Sequence, residues 1–253
     1  MAKNPTATQA IIEAIQNGDP QNVESVLADV DNDKSVSEGF LEISGDDGLT
    51  PFLLAARNGE ADIMWTLKKA GAQHQALDPR GVTAMHLAAG GAHLEVIKQL
   101  LEMGTITDWP PNNSNDSVLH LGAAFEDQAP SPTAALGCAR LLTGFFAHHL
   151  DLSNKNGQTP LHVAAECQSP QWTMALLERD ANINAIDSNG DTPIHLAVKV
   201  DSEPGRKCVA MLLEKGACLA ISNHSGQRPF HIASNELLQK ELEKRWKGIA
   251  QDL

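Results

Sequence analysis

The sequence predicts an all-α solenoid of stacked helix–turn–helix units. Three observations carry the prediction: a recurring octapeptide, a glycine-led turn and proline-marked helix start inside it, and a second apolar helix after it. The stretch Gly190-Asp191-Thr192-Pro193-Ile194-His195-Leu196-Ala197 has near-copies beginning at Gly48, Gly81, Asn115, Gly157 and Gly226. Counted on the His position, with Leu53 standing in the first copy, the spacings are 33, 34, 42, 33 and 36 residues. A fixed period of this size decides the architecture before any single residue does, because one helix pair cannot bury its apolar face alone and must stack on its neighbours.

Within a unit each element has a local cause. Gly81, Gly157 and Gly190 follow polar turn residues such as Asp187-Ser188-Asn189, where a sharp reversal needs positive φ; Asn115, the next most tolerant residue, stands in once. Thr159-Pro160 reads as an N-cap followed by Pro at the first helical position. Ala164 and Ala165 keep that helix thin. The second helix is apolar at Val96-Ile97-Lys98-Gln99-Leu100-Leu101 and at Val209-Ala210-Met211-Leu212-Leu213, and closes near a glycine such as Gly104 or Gly216. The Gly90-Gly91 pair falls between the two helices and reads as a plain turn.

The ends and interruptions follow in chain order. Residues 8–29 hold Ile11, Ile12 and Ile15, then Asn17-Gly18-Asp19-Pro20, then Val23, Val26 and Leu27, the pattern of a degenerate capping helix pair. Residues 31–47 form an acidic connection in which Phe40, Leu41 and Ile43 are spaced for either an ordered finger or a loose loop. Residues 105–115 carry the stiff aromatic tip Trp109-Pro110-Pro111, and residues 125–134 lengthen the third unit between its helices, which largely accounts for the 42-residue spacing. Leu238, Leu242, Trp246 and Ile249 recur at helical spacing among charges, giving one amphipathic closing helix over 235–250.

The copies resemble the ankyrin repeat, with its period of about 33 residues and its T-P-L-H-x-A signature. The resemblance covers six units over 48–233 and implies one elongated domain over 1–253, with short β-hairpin-like finger loops. It implies structural work for His86, His120, His162, His195 and His231, which tie each turn to its helix start. Packed helices roughly 8–10 Å apart also hold such histidines too far from one another to share a zinc ion. It further implies that partners meet the concave face, at the turn tips and the two residues after each first helix. The residues so placed are Arg57, Asn58, Arg80, Glu166, Lys199 and Phe125, joined by Trp109 on its insertion. Phe125 and Arg80 are the types favoured as interface anchors.

Other residues are weighed against the repeat. Trp172 stands where the second helix carries a core Val, so packing is its expected role; Trp65, on the outer helix, reads either as a partner anchor or as a cover for the 31–47 connection. His148-His149 lie in an irregular stretch and are expected in a solvated loop.

The 32 acidic and 19 basic residues give a formal charge of -13, which disfavours nucleic acid and favours a neutral or basic protein partner, or serves solubility alone. No apolar run of about 18 residues exists and the N-terminus lacks a secretory segment, so no membrane is expected. The four cysteines, at 138, 167, 208 and 218, lack C-x-x-C spacing, which argues against a zinc site or disulfide framework and for a reducing, cytoplasmic setting. The phosphate-loop, nucleophile-elbow and H-E-x-x-H patterns are missing. The expectation is a monomeric, non-enzymatic binding protein without cofactor or metal, acting as an inhibitor or neutraliser of a basic target. Inhibitors of Rel-type transcription factors and some bacterial immunity or effector proteins resemble this plan. Two alternatives stand beside it: an enzyme or small-molecule binder using a cleft near Phe125, His148 and His149, and a passive scaffold bridging two partners.

Overall fold

A computed structural model describes residues 5–32, 39–45, 47–103 and 111–251. Among the described residues there is no strand, and the chain divides into two compact units, Met1–Asn113 and Ser114–Leu253. The first unit holds α1 (Pro5–Gln16), α2 (Pro20–Asn32), α3 (Pro51–Asn58), α4 (Ala61–Lys69), α5 (Ala84–Gly90) and α6 (Leu94–Glu102). The second holds α7 (Val118–Ala124), α8 (Pro132–Phe145), α9 (Pro160–Glu166), α10 (Pro170–Leu177), α11 (Pro193–Ala197), α12 (Glu203–Glu214) and α13 (Glu236–Gln251).

Consecutive helices pair, and pairs stack like on like. In the first unit α1 packs on α3 and α3 on α5, with α2, α4 and α6 forming the outer row; in the second, α7, α9 and α11 form one row and α8, α10 and α12 the other. The core is therefore a strip between rows. Ile11, Ile15, Phe52, Leu53, Ile63, Met64, Met85 and Ile97 fill it in the first unit, and Cys138, Leu142, Leu161, Trp172, Leu176, Ile194 and Leu212 in the second. The inner-helix alanines Ala55, Ala88, Ala164, Ala165 and Ala197 are buried in the same strip, and their small side chains let neighbouring rows approach closely.

Between pairs the chain makes hairpin-like tips with one repeated geometry. The amide of Asp78, Asn154, Asp187 or Asn223 donates to the carbonyl four residues on at 2.9–3.0 Å, and the glycine three residues on donates back at 2.9–3.0 Å. That glycine has φ between 73° and 76° at Gly81, Gly157, Gly190 and Gly226, the left-handed region that favours Gly; Asn115 takes φ 63°. The Asp or Asn side chain accepts two further amides of its own turn, as Asp187 does from Asn189 and Asp191 at 2.8 and 2.9 Å. Successive tips are linked by single backbone bonds: Asn113 to Arg80, Lys155 to Ser114, Ser188 to Asn156 and His224 to Asn189.

The conserved spacing of Thr and His three residues apart builds the helix starts. Thr83, Ser117, Thr159 and Thr192 lie at N-caps, and each donates its backbone N–H to the Nδ1 of His86, His120, His162 or His195 at 3.0–3.3 Å. The other ring nitrogen of three of them then donates outward, from His120 to Gln158 O, His162 to Asp191 O and His195 to Gln227 O, at 2.9–3.2 Å. Each of these histidines clamps its own turn to the next tip, which is the structural role the repeat implied.

Residues Phe40–Glu42 form a 3-10 turn with Leu41 buried, and the Glu42 carboxylate accepts from Gln73 N at 2.7 Å; the finger-or-loop reading of 31–47 falls partly on residues 33–38 and 46, which lie outside the described residues. Three expectations are corrected. Gly90 closes α5, Gly91 has φ -82°, and the positive φ of that connection falls on Ala92 at 53°. In the last repeat, only a 3-10 turn, Pro229–His231, replaces the first helix; Arg228 stands where Thr supplies a hydroxyl cap, and His231 is exposed. His148 and His149 belong to a further 3-10 turn, Ala147–His149, with the His149 ring stacked on buried Phe146 at 5.8 Å, and so are not an irregular loop.

Gly18 turns α1 into α2 with φ 63°, and Ile11, Ile12, Ile15 and Val23 are buried there, whereas Val26 and Leu27 are half-buried. On α13, Leu242 is buried, Trp246 lies 5.4 Å from Phe230 and under the Arg228 guanidinium at 4.4 Å, and Leu238 is half-buried.

Candidate protein-interaction surface

The C-terminal ends of the inner helices and the turn tips carry the residues that the repeat nominates for a partner. In the first unit, Arg57 is exposed and pairs with Asp47 at 2.8 Å, Asn58 is exposed at the last position of α3, and Arg80 is exposed with its Nε 3.0 Å from Asp78. In the second, Glu166 accepts from Gln158 Nε2 at 2.7 Å, and Lys199 lies 2.9 Å from Asp191. Four of the five charged or polar candidates are thus engaged within their own repeats. Trp109 lies outside the described residues, as do Asp46 and Gly104.

Lys199 is held by design of the tip. Asp191 sits two residues before Pro193, takes Lys199 on one oxygen and Asn223 Nδ2 on the other at 2.8 Å, and is itself buried. Burial alone would raise the Asp191 carboxyl, but the Asn223 hydrogen bond and the Lys199 ammonium outweigh it and hold it below the usual carboxylate value.

What stays available is apolar and acidic. Phe125, at the end of α7, is 40% exposed, and Val200, after α11, is 51% exposed. Between them in the stacking order lies Cys167, exposed at the end of α9; partial burial, with the Glu166 and Asp127 carboxylates beside it, pushes its thiol up.

The long insertion is an architectural device as well as a surface. Its first residues, Glu126–Gln128, form a 3-10 turn, and the Glu126 carboxylate accepts from Gln171 N at 3.3 Å and Trp172 N at 3.0 Å, the unpaired amides that open α10. Ser169, the N-cap residue, instead donates its hydroxyl to Ala123 O at 2.6 Å. The spacing pattern pointed to the insertion but not to this cap, because Glu126 and α10 are some 45 residues apart in sequence. Burial raises the Glu126 carboxyl, partly offset by the two amides.

Phe125 and the His148–His149 pair lie on opposite sides of α8 in the chain. Phe125 precedes the first residue of α8 and the histidines follow its last, and a helix of 14 residues spans about 21 Å. Trp172 is 1% exposed, in the core as expected. Trp65 is 43% exposed on α4, with Lys68 and Lys69 Nζ 5.3 and 5.6 Å from its ring. No group of three or more His, Cys, Asp or Glu among the described residues is placed to hold a metal ion. No helix among them is long and apolar enough to cross a membrane.

This arrangement defines a class of protein before it defines a family: a repeat protein of stacked helix pairs with hydrogen-bonded tips. The family model for ankyrin repeats matches in three copies, over residues 11–108, 54–128 and 133–223, and the chain belongs to that family. It is 28% identical over 208 residues to neurogenic locus notch homolog protein 1 of Xenopus tropicalis, covering 76% of this chain and 8% of that protein. It is 31% identical over 185 residues to the putative palmitoyltransferase ZDHHC13 of Danio rerio (71% and 26%), and 29% over 191 residues to inversin of Canis lupus familiaris (74% and 17%). The chain thus spans about a quarter or less of the length of these relatives. Among solved structures it resembles the ankyrin repeat domain of human ASB11, with TM-score 0.73, 19% identity and coverage of 93% of this chain and 96% of that one. The ankyrin repeat domain of Bcl-3, described as a unique member of the IkappaB protein family, gives TM-score 0.66 at 23% identity, covering 92% and 97%. At these identities the likeness is one of fold. Ankyrin repeats are protein–protein interaction modules, and the fold is typically a non-catalytic scaffold.

Proposed function

We propose that this protein is a non-catalytic binding protein whose second unit receives a neutral or basic partner protein across the ends of α7, α9 and α11. The observation that carries the reading is the exposed pair Phe125 and Val200, set among Asp127, Glu166 and Cys167 with Lys199 already neutralised by Asp191. An apolar anchor within an acidic surround matches an apolar side chain flanked by Lys or Arg, and the preformed tips spare the ordering cost that binding otherwise carries. The formal charge of -13 favours the same partner over any acidic one. Masking of a basic functional surface, and hence inhibition, is the sharper form of this reading. A cytoplasmic, monomeric setting accompanies it.

The test is affinity capture from the source cell with the intact protein beside Phe125→Ala/Val200→Ser, at low and high salt. A protein retained by the intact chain, lost by the still-folded variant and weakened by salt supports the reading. Equal retention by both chains removes this surface from the interface, and tighter retention at high salt removes the basic partner.

A further inference from the structure

We infer that Ser131 is a phosphorylation site for a proline-directed protein kinase. The sequence contains five Ser/Thr-Pro dipeptides, beginning at Thr50, Ser131, Thr159, Ser169 and Thr192. The fold chooses. Thr50, Thr159, Ser169 and Thr192 are 6%, 3%, 2% and 0% exposed, because the prolines that follow them open helices facing the core. Ser131 is exposed, and so are Asp127, Gln128, Pro130, Pro132 and Thr133 around it.

Backbone form points the same way. A kinase cleft takes its substrate as extended chain, and Ala129 has φ -63° and ψ 140° while Ser131 has φ -164° and ψ 158°. Pro130 between them is fixed near -65° by its ring. The segment 129–131 therefore leaves the 3-10 turn already extended, on the insertion that lengthens the third repeat. At each of the other four sites, engagement would require lifting a buried helix start out of the stack.

The step is an ordinary phosphoryl transfer. The Ser131 hydroxyl oxygen attacks the γ-phosphorus of a magnesium-bound nucleoside triphosphate, its proton passes to the kinase's catalytic carboxylate, the bond to the bridging oxygen breaks, and nucleoside diphosphate leaves. The product adds about -1.5 to -2 of charge close in sequence to Glu126 and Asp127. The Ser131 hydroxyl accepts from Ala134 N at 3.1 Å, and the phosphate oxygens inherit that amide.

The experiment incubates the full chain with a purified mitogen-activated protein kinase and Mg-ATP, and locates phosphate by mass spectrometry; Ser131→Ala and Pro132→Ala, checked for folding by circular dichroism, run in parallel, as does a peptide of residues 125–137. One phosphate at Ser131 of the native chain, none on Ser131→Ala and a large loss on Pro132→Ala is the expected result. Phosphate at Thr50, Thr159, Ser169 or Thr192 of the native chain overturns the inference. So does a peptide that is phosphorylated while the native chain is not, since that result locates the barrier in the fold, and so does phosphate on neither. None of these outcomes depends on the partner surface, so the two readings fail separately.

Discussion

Gly122 and Trp172 are complementary: the tryptophan ring fills the space that a side chain at 122 would occupy. A methyl carbon built on Gly122 would lie 2.9 Å from Trp172 Cε2 and closer still to Cζ2 and Cη2. In the other copies of the octapeptide the position matching Gly122 is Ala, and in the first two copies the position matching Trp172, ten residues after the His position, is Ile63 and Val96. Two successive repeats share the exchange: the α7 position gives up its methyl group, and the α10 position of the next repeat carries the largest side chain, whose ring enters the space so opened.

Gly122→Ala is therefore expected to destabilise, although Ala is the better helix former by about 1 kcal/mol. Overpacking against a buried ring costs about 1–3 kcal/mol, and Trp172→Val alone leaves a cavity of similar penalty. In the double variant Gly122→Ala/Trp172→Val the overpacking is relieved and the new methyl fills part of the cavity, so the combined loss should be smaller than the sum of the two single losses. Urea denaturation of the four chains gives the coupling energy, and strictly additive losses would refute the pairing.

This pair shows what the sequence made legible and what it did not. The repeat register alone placed Trp172 in the core, and the period, the turn glycines, the Thr–His clamps and the closing helix were readable because each is a local pattern. Gly122 carries no such local signal, because a missing side chain means something only against its neighbour across the stack. The same holds for Glu126, whose cap is made to a helix in the next repeat, and for Arg57 and Lys199, whose ion partners sit eight to ten residues away on the tips. Candidate contact residues followed from register; which of them are already engaged depends on three-dimensional pairings.

Gly91 illustrates the difference in a second place. Its φ of -82° needs no glycine, yet a methyl carbon there would lie 3.0 Å from His93 Cε1 and nearer to Nε2 and Cδ2. The His93 ring also faces Gly59, and its Nε2 donates to Arg57 O at 2.8 Å, tying the end of α3 to the start of α6. Gly91→Ala is expected to cost about 1–3 kcal/mol through displacement of that ring. His93→Ala in the same background should relieve the clash, so that the second change costs less than it does alone; thermal melts that show the opposite order would exclude the steric account.

Glu126→Ala removes the acceptor for Gln171 N and Trp172 N. Losing an N-terminal cap of this kind costs about 0.5–2 kcal/mol. Glu126→Gln keeps one acceptor oxygen and should lose less. Hydrogen exchange localises the effect: faster exchange confined to the first turn of α10 is expected, and unchanged protection there would show that the cap contributes nothing.

The histidine clamps make stability depend on pH with a definite sign. Burial, the largest cause, lowers the pKa of His120, His162 and His195 below 6.5, even though their carbonyl partners and nearby aspartates pull the other way. Each neutral ring uses Nδ1 as acceptor for a backbone N–H, and a proton on Nδ1 abolishes that bond while placing charge in the strip. With the folded pKa below the unfolded one, the unfolded chain binds more protons between the two values, so stability is full above about 6.5 and falls as pH drops through the folded values. Glu126 runs opposite, because burial raises its carboxyl and folding then favours the protonated form in a more acidic window. The urea midpoint is expected to fall from pH 7.5 to pH 5.5. Replacing His162 with Gln should lower the midpoint at pH 7.5 and flatten the dependence, since one of the three titrating clamps is gone. A midpoint that holds or rises on acidification of the unaltered chain would show that these rings are not neutral acceptors in the folded protein.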